Sequence, residues 1–536
     1  MERKNSPINK AAVILLVLTA FGAGLYAVRA IRLSYDSMRY ALVSQQIAAG
    51  NGIKTPIIHF YGLMPDSNGN TAFLEQPPLL PIVLAILGPV NAERVWPGQV
   101  LNLLCHIAIT IFSWLIAREL VGDIVSIAVG LAVALSVSIL GVCTFLFSEP
   151  LFIASVTAAV YFLIKARHSR RPHGWLLAAG ISASAAIATR YTGIAILPLF
   201  VLEAAYLWKQ NLKARTIISR LACLVLPMIP AAILFIRNKL LLNVFRGVNQ
   251  DFSGYTLFDS AVGTIKQTLD ELAVHGVGSD LLNSIGMAEY KKWVLLFAGI
   301  LLIIWIMILL GKSKPSVIIQ KLRAGYDLIY LFIFGYAVII IYGMYRYQPY
   351  FESRLFTPMI PFILILIVSL INPCSTILGG KLKKPERITK FVLLTAMVFC
   401  SFVWFFENSS VFLDEPEYWS RIDSSEAFKW LESNVSPDNI IATNYSFDVS
   451  FYGGYPTLKI LTREWQRSTT LPENMEELFA MRMKQINAEY LALFVDKNGL
   501  SEEYFGEFIA GLSRRIPADS YEMVFNSADG VVYKLK

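Results

Sequence analysis

Charge is scarce in this sequence. Only 16% of its 536 residues are charged and 55% are hydrophobic, whereas a soluble domain is about 25% charged. The apolar residues fall in blocks of about 16–22, the length that crosses a bilayer core of about 30 Å. Soluble, disordered and fibrous proteins are therefore excluded as classes, and the sequence predicts a polytopic α-helical membrane protein.

Cysteine is also scarce and has no metal-ligand spacing. None of the five cysteines forms a C-x-x-C pair, and each lies in or beside an apolar block: Cys105, Cys143, Cys223, Cys374 and Cys400. His59, His106 and His275 share no ligand spacing either. These patterns do not support a disulfide framework or a zinc site. We expect no cofactor; a divalent metal stays possible, although no ligand spacing supports it.

The net charge of +8 hides an asymmetry along the chain. Residues 1–406 contain 35 lysines and arginines against 18 acidic residues, whereas residues 407–536 contain 12 against 21. Such a division predicts two compartments rather than nucleic-acid binding.

The apolar blocks predict about eleven transmembrane helices. They lie near residues 11–33, 99–117, 123–143, 150–165, 174–189, 191–208, 217–236, 293–311, 326–345, 355–372 and 390–406. A further apolar run from Pro77 to Val90 is short and interrupted by prolines, so we interpret it as a re-entrant or interfacial segment.

The short basic loops orient these helices. Clusters of lysine and arginine occur around residues 3–10, 165–171, 209–220, 312–323 and 381–390. They fall on one side of an eleven-helix arrangement, which the positive-inside rule makes cytoplasmic. We therefore expect a multi-pass protein of the plasma (inner) membrane, with a cytoplasmic N-terminus and a C-terminal domain outside.

Two domains follow from this arrangement. Residues 1–406 form the predicted transmembrane catalytic domain, with long outer loops at about 34–98 and 237–292, and loops of such length are usually functional. Residues 407–536 have soluble composition and predict a small extracytoplasmic α/β domain. Its expected helices lie at 424–433 and 475–484, its strands at 439–443 and 490–495, and a terminal hairpin at 523–526 and 531–535.

Asp36 is the first candidate for chemistry. It lies just beyond the first apolar block, at the start of a predicted short helix that ends near Gly50. A carboxylate at the outer surface could take a proton from an acceptor hydroxyl or amide. Aspartate is also a favoured helix N-cap, and position alone favours the cap.

Further polar residues lie at the outer ends of the apolar blocks. Glu149 could be a second carboxylate of the site or a charge at a helix start. Outward arginines could bind a phosphate through their forked donors, or could reach lipid phosphates and pair with carboxylates such as Glu149 or Glu352. The arginines are Arg190, Arg237, Arg346 and Arg354, and Asn238 directly follows Arg237.

Six short motifs, in order, resemble the GT-C superfold of membrane glycosyltransferases, most closely the glycosyltransferase 39-like group of protein mannosyltransferases and aminoarabinose transferases. The motifs are Y-D-S-x-R-Y-A…A-x-G-N-G (35–52), E-x-P-P-L-L-P (75–81), S-E-P-L-F (148–152), T-R-Y-T-G (189–193), I-R-N (236–238) and S-R-L-F-T-P (353–358). The segment F-Y-G-G-Y-P (451–456) is also similar, so the resemblance covers nearly the whole chain.

The resemblance implies a polyprenyl-phosphate-linked sugar as donor and inverting transfer on the outer face of the membrane. Asp36 would be the general base and Glu149 a second catalytic carboxylate. The implied substrate-binding residues are Tyr35, Arg39, Glu75, Gln76, Arg190, Arg237 and Arg354. The acceptor could be a protein, a lipid or a growing glycan, with membrane lipids as further partners.

Two departures from the group bear on the substrate. Many relatives have Asp-Glu in the first loop, where this chain has Asp36-Ser37. The aminoarabinose transferases have a lysine before the Pro-Pro pair, where this chain has Gln76. An arginine must then supply the phosphate-binding cation, and an assignment to aminoarabinose transfer is weakened.

Two other functions compete with transfer. One is a transporter or flippase of lipid-linked intermediates, and the other is a non-catalytic scaffold. Transporters usually contain repeats and broken helices, with charges near the middle of the membrane, whereas the charges here cluster at one surface and no repeat is visible. A glycosyltransferase is therefore the favoured interpretation.

Overall fold

The computed structural model describes residues 7–29, 31–59, 63–208, 214–242, 325–347, 353–369, 422–460, 481–494 and 521–536, with runs of one to three residues between 391 and 406. The chain forms two compact units. The helical unit comprises Met1–Ile31 and Gln99–Leu413, and the mixed unit comprises Arg32–Gly98 and Asp414–Lys536.

Helices account for most of the described residues. In chain order they are α1 (Pro7–Val28), α2 (Tyr35–Ala48), α3 (Leu79–Leu87), α4 (Trp96–Val121), α5 (Asp123–Ala134), α6 (Val137–Cys143), α7 (Glu149–His168), α8 (His173–Thr189), α9 (Leu197–Trp208), α10 (Ala214–Val225), α11 (Met228–Leu242), α12 (Asp327–Tyr347), α13 (Ile360–Ser369), α14 (Glu426–Asn434) and α15 (Ser446–Gly453).

Several helices of the helical unit can cross a membrane. Within the described residues, the segments Lys10–Val28, Trp96–Val121 and Glu149–His168 are long and apolar enough to span one. Two bent helix pairs raise the number to five if each pair is one span. The predicted block at 293–311 lies outside the described residues, and the total of eleven stays a prediction.

The bends correct two predicted spans. The block at 123–143 was expected to be continuous, but α5 and α6 meet at an angle of 46°. The block at 217–236 is also broken, with a 41° bend between its two helices at Leu226 and Pro227. A proline ring cannot continue the hydrogen-bond ladder of a helix, which accounts for the second bend.

The mixed unit is built around a six-stranded sheet. The strands are β1 (Lys54–Thr55), β2 (Ile57–Ile58), β3 (Thr71–Ala72), β4 (Ile441–Thr443), β5 (Thr457–Lys459), β6 (Tyr490–Phe494), β7 (Tyr521–Ser527) and β8 (Gly530–Leu535). The sheet order is β2-β5-β4-β6-β8-β7, and β1 pairs separately with β3. β2, β5, β4 and β6 are parallel, whereas β8 and β7 form an antiparallel hairpin.

The local elements of the C-terminal segment follow from its sequence. β6 is buried along its whole length, as its apolar run predicts. The terminal hairpin turns at Ala528 and Asp529, one residue earlier than the sequence predicts, because Ser527 pairs with Gly530. The Asp529 carboxylate accepts hydrogen bonds from the backbone N–H groups of Glu426 and Ala427, so the turn also caps α14. Residues 481–485 are helical, and the earlier part of that predicted helix lies outside the described residues.

The loop at residues 34–98 folds with the C-terminal segment. Composition placed residues 34–98 with the transmembrane domain and divided the chain at residue 406. In the structure these loop residues belong to the mixed unit, because Ile57 and Ile58 of β2 pair with Thr457 and Leu458 of β5. A two-residue strand is too short for its composition to reveal a partner 400 residues away.

Candidate functional site

Asp36 is not the cap of its helix. The N-cap of α2 is Ser34, whose hydroxyl accepts a hydrogen bond from the backbone N–H of Ser37 at 3.2 Å. Ser37 is fully buried at this cap. The interpretation of Asp36 as an N-cap is therefore wrong. Asp36 is the second residue of α2, where the positive end of the helix dipole stabilises a carboxylate.

Arg39 joins the two carboxylates of the first loop. Its Nη1 lies 3.5 Å from Oδ1 of Asp36, one turn earlier on α2. Its Nε lies 2.7 Å from Oε2 of Glu75, at the far end of the loop. The Asp36 side chain is 31% exposed, against 14% for Glu75. Asp36 is thus the more accessible carboxylate.

Glu75 is held as an anion by the cations around it. Its second oxygen pairs with Nε2 of His59. Burial alone raises the pKa of Glu75, but Arg39, His59 and Lys459 outweigh burial and hold that pKa well below its usual range. Glu75 is therefore suited to orient cations rather than to exchange protons near neutral pH.

Phe447 of α15 packs beside the same ion pairs. The ring of Tyr35 lies 5.8 Å from the Phe447 ring. The Arg39 guanidinium and the Lys459 ammonium lie 5.2 and 5.7 Å from that ring. Cations over an aromatic face are attracted by its negative quadrupole. Tyr35 is itself 45% exposed, so this predicted binding residue presents an open aromatic surface.

Sheet topology explains why His59 and Lys459 meet at Glu75. His59 directly follows β2, and Lys459 is the last residue of β5. These two strands are parallel neighbours, so both residues lie at the carboxyl edge of the sheet. Ligands of open α/β sheets characteristically bind outside that edge. Asp36, Arg39, Glu75, His59, Lys459 and Phe447 constitute the loop cluster.

A second cluster lies in the helical unit around Glu149. Glu149 begins α7 and is only 1% exposed. Its Oε1 lies 2.7 Å from Nη1 of Arg190 and 4.0 Å from Nε of Arg354. Two guanidiniums against one carboxylate give these three residues a formal charge of +1. We call them the arginine cluster.

Neighbouring residues orient the arginine cluster. Nη1 of Arg190 donates a hydrogen bond to the Ser148 hydroxyl at 2.8 Å. The Arg354 guanidinium lies 4.5 Å from the Phe147 ring. The hydroxyl of buried Tyr336 donates to the Leu355 carbonyl at 3.0 Å and so holds the segment that carries Arg354. The motifs S-E-P-L-F, T-R-Y-T-G and S-R-L-F-T-P thus meet, as the alternative of arginine pairing with Glu149 predicts.

The remaining predicted residues have separate positions. Asn238, beside Arg237 on α11, donates to the Tyr191 hydroxyl at 2.8 Å, which links the I-R-N and T-R-Y-T-G motifs. Gln76 is half-buried next to Glu75. The side chain of Arg346 lies outside the described residues, as does Glu352.

The described part of the chain contains no group of three or more histidine, cysteine, aspartate or glutamate side chains that could hold a metal ion. The described cysteines Cys105, Cys143 and Cys223 are free thiols. As in the sequence, no ligand set among the described residues supports a metal site, and whether the protein depends on a metal is not tested.

The sequence alone did not identify five residues of the two clusters and their surroundings: His59, Phe447, Lys459, Tyr336 and Ser148. His59 was considered only as a metal ligand. A usable signal for His59 was its position directly after the apolar pair Ile57-Ile58, typical of a strand end. No local signal identifies Lys459, since its proximity to Glu75 depends on long-range strand pairing.

Comparison with known proteins agrees with the predicted resemblance. Residues 75–236 match the family described as dolichyl-phosphate-mannose-protein mannosyltransferase. No curated protein sequence matches the chain.

Solved structures match nearly the whole chain. ArnT from Cupriavidus metallidurans bound to undecaprenyl phosphate has a TM-score of 0.58 at 13% identity, covering 97% of both chains. The apo form of that protein has a TM-score of 0.56 at 13% identity, covering 98% of both chains.

The oligosaccharyltransferase AglB from Archaeoglobus fulgidus, in complex with an inhibitory peptide and a dolichol-phosphate, has a TM-score of 0.55 at 10% identity. That match covers 93% of this chain and 71% of AglB. The chain therefore has the fold of the GT-C membrane glycosyltransferases, and its residues 75–236 match the mannosyltransferase family within that fold.

Proposed function

We propose that this protein is an inverting glycosyltransferase that moves a sugar from a polyprenyl-phosphate donor to a protein, lipid or glycan acceptor. The reaction takes place on the outer face of the plasma (inner) membrane, with the N-terminus in the cytoplasm. No metal or other cofactor is part of this proposal.

The observation that carries the proposal is the arginine cluster within a GT-C fold. Glu149 is nearly inaccessible and orients Arg190 and Arg354, which together exceed its charge. Guanidinium groups in fixed positions suit a phosphate because each offers several donors in one plane. Solved proteins of the same fold bind undecaprenyl phosphate and dolichol-phosphate, which supports a lipid-phosphate donor here.

Asp36 is the general base in this proposal. Its carboxylate takes the proton from the acceptor hydroxyl or amide, whose heteroatom then attacks the anomeric carbon of the sugar. The bond from that carbon to the phosphate oxygen breaks, and the polyprenyl phosphate leaves with the bonding electrons. Arg190 and Arg354 stabilise the charge that develops on the phosphate, and Arg237 is a further candidate for this role.

Arg39 and Glu75 support the base. Arg39 pairs with both Asp36 and Glu75, so its guanidinium fixes the direction of the Asp36 carboxylate. Tyr35 and Gln76 are the residues we assign to contacts with substrate, because Tyr35 offers an exposed ring and Gln76 adjoins Glu75.

Incubation with a panel of polyprenyl-phosphate sugars tests the function. Purified protein should release polyprenyl phosphate from at least one donor in the presence of membrane extract as the acceptor source, and mass spectrometry measures the release. If no donor is cleaved while a fluorescent lipid-linked sugar crosses proteoliposomes, the protein is a flippase and the proposal is wrong. If the protein neither cleaves a donor nor transports the lipid-linked sugar, the result favours a non-catalytic scaffold.

The orientation has its own test. A single cysteine introduced at Ser424 of a variant whose five native cysteines are replaced by serine or alanine should react with a membrane-impermeant maleimide in intact cells. Labelling only after permeabilisation would place the C-terminal segment inside and would contradict the proposed orientation.

A further inference from the structure

The broken span formed by α5 and α6 leaves backbone carbonyls at two helix ends. α5 ends at Ala134 and α6 at Cys143. In an apolar bundle there is little water to bond such groups, and an unsatisfied backbone group costs several kcal/mol. The side chains that bond these carbonyls therefore fix the path of the chain around the bend.

Helix α4 supplies these side chains at both ends of α6. Nε2 of His106 lies 3.1 Å from the Ala134 carbonyl and must be the donor, because a carbonyl only accepts. Nδ2 of Asn102 donates to the carbonyls of Cys143 at 2.9 Å and Phe145 at 2.6 Å. Asn102 and His106 are one helical turn apart on α4 and are 1% and 0% exposed.

The segment that Asn102 holds leads directly into the arginine cluster. The rings of Phe145 and Phe147 stack at 4.7 Å, and Phe147 contacts the Arg354 guanidinium at 4.5 Å. Ser148 and Glu149, the next two residues, both contact Arg190. A shift of the 143–145 backbone would therefore move groups that contact both arginines.

We propose that Asn102 is a positioning residue for the arginine cluster: its two hydrogen bonds fix the turn after α6 and thereby the placement of Phe147, Ser148 and Glu149 against Arg190 and Arg354. The proposal rests on the proposed function, since it assigns Asn102 an effect on binding of the donor phosphate. His106 performs the corresponding task at the start of α6, farther along the chain from Glu149.

The chain offers graded variants and a matched control. Asn102→Ala removes both hydrogen bonds. Asn102→Asp keeps the size and, with its carboxyl protonated in the bundle, retains one donor. Ser113→Ala is the control, because Ser113 is also fully buried on α4 but, among the described residues, bonds only the Ile109 carbonyl of its own helix. His106→Leu removes the bond at the other end of α6.

Two measurements on the full-length protein in nanodiscs test the positioning role of Asn102. Hydrogen–deuterium exchange reports local opening of the backbone, and binding of undecaprenyl phosphate reports the arginine cluster. Asn102→Ala should accelerate exchange in residues 143–149 and weaken binding by about tenfold, the scale expected for losing hydrogen bonds of ordinary strength. Asn102→Asp should fall between Asn102→Ala and the wild type, and Ser113→Ala should match the wild type.

Further readouts separate positioning from general loss of stability. His106→Leu should accelerate exchange mainly in residues 134–139 and weaken binding less than Asn102→Ala does. In transfer assays, Asn102→Ala should raise the KM for the donor and leave the KM for the acceptor unchanged.

Equal exchange in 143–149 for Asn102→Ala and Ser113→Ala would overturn the proposal, as would acceleration spread equally over α7 and α8. Wild-type protein that neither binds nor releases polyprenyl phosphate would count against the proposed function; the exchange pattern alone would then decide whether Asn102 holds the segment.

Discussion

The two units arrange their carboxylates and cations in opposite ways. In the arginine cluster, two guanidiniums converge on Glu149, a carboxylate that is 1% exposed. In the loop cluster, one guanidinium is shared by two carboxylates, and Asp36 is 31% exposed. A buried carboxylate in the first unit thus orients cations, whereas a shared cation in the second orients an accessible carboxylate.

This difference suggests how binding and proton transfer are divided. Excess positive charge stabilises a phosphate that gains charge as it leaves. A carboxylate can accept a proton from a substrate if neighbouring residues orient the carboxylate and leave it exposed. Glu75 resembles Glu149 more than Asp36. It is surrounded by cations and little exposed, so its carboxylate orients Arg39 rather than accepting a proton.

Replacement of Asp36 should have the largest effect. Asp36→Asn keeps the shape of the side chain but removes the proton acceptor, so turnover should fall by about 10²–10⁴-fold, the usual contribution of general base catalysis. Affinity for undecaprenyl phosphate should stay at the wild-type value. Kinetic measurement of polyprenyl phosphate release checks the turnover, and a binding measurement in nanodiscs checks the affinity.

A matched carboxylate serves as the control for Asp36. Asp66 is 30% exposed and pairs with Lys54 at 2.6 Å in the same unit. Asp66→Asn should leave turnover unchanged. Equal turnover of Asp36→Asn and wild type would remove Asp36 from the role of base.

Replacement of Arg190 should weaken donor binding next most strongly. Arg190→Ala leaves Glu149 buried without its nearer cation, and truncation of one partner of a buried charge pair costs roughly 2–5 kcal/mol. Binding of undecaprenyl phosphate should weaken accordingly, and Arg190→Lys should be intermediate because lysine lacks the planar fork. Arg118→Ala breaks an ion pair with Asp123 elsewhere in the helical unit and should not alter binding; if it weakens binding equally, the effect is not specific to the arginine cluster.

Glu75 should contribute to stability in a pH-dependent way. Its folded-state pKa lies below the usual value, so its stabilisation is fully present above about pH 4.3, the ordinary carboxyl pKa, and is lost as the pH falls further. Glu75→Gln should reduce the unfolding free energy by roughly 1.5–3 kcal/mol at pH 7, the range for hydrogen bonds to charged groups. Denaturation curves at several pH values measure this difference.

The difference between wild type and Glu75→Gln should stay constant from pH 7 to pH 5 and shrink at lower pH. The exposed Glu93 provides the control, since Glu93→Gln should change stability little at any pH. Parallel pH profiles of wild type and Glu75→Gln would show that the cations do not stabilise the Glu75 anion.

Asp448 should have the opposite effect on stability. This carboxylate of α15 is 6% exposed, and its Oδ2 has no hydrogen-bond partner among the described residues. Burial raises the pKa of Asp448 to about 7. The folded chain therefore retains a proton that the unfolded chain releases near pH 4, so Asp448 lowers stability as the pH rises from about 4 to 7.

Asp448→Asn should accordingly stabilise the protein at pH 8 by about 1 kcal/mol or more, since one pKa unit corresponds to about 1.4 kcal/mol. The gain should disappear near pH 4. Thermal unfolding against pH measures it, with the exposed Asp438→Asn as control. Destabilisation at pH 8 would indicate that the Asp448 anion has a stabilising partner.

The sequence predicted the elements whose structure depends on residues that are close together in the chain. The alternation and turn residues near the C-terminus predicted the hairpin of β7 and β8, and the apolar run at Tyr490 predicted β6. The order of the six motifs predicted the GT-C fold. The identity of the α2 cap was missed because Ser34 and Asp36 are both favoured cap residues, and only the backbone conformation decides between them.

Long-range pairing explains what the sequence did not predict. The contact of His59 and Lys459 with Glu75 requires β2 to lie beside β5, and a two-residue strand has no periodicity to detect. The bend between α5 and α6 was missed because the apolar block continues through it. Asn102 and His106 become informative only once that bend is known.

The proposed reaction breaks the bond between a sugar and a lipid phosphate. The most direct test follows a labelled polyprenyl-phosphate sugar in proteoliposomes with an acceptor fraction. We expect polyprenyl phosphate and glycosylated acceptor to appear in equal amounts with wild-type protein, and both to be nearly absent with Asp36→Asn. Movement of intact labelled donor between the leaflets, without release of polyprenyl phosphate, would show that the protein is a flippase and not a glycosyltransferase.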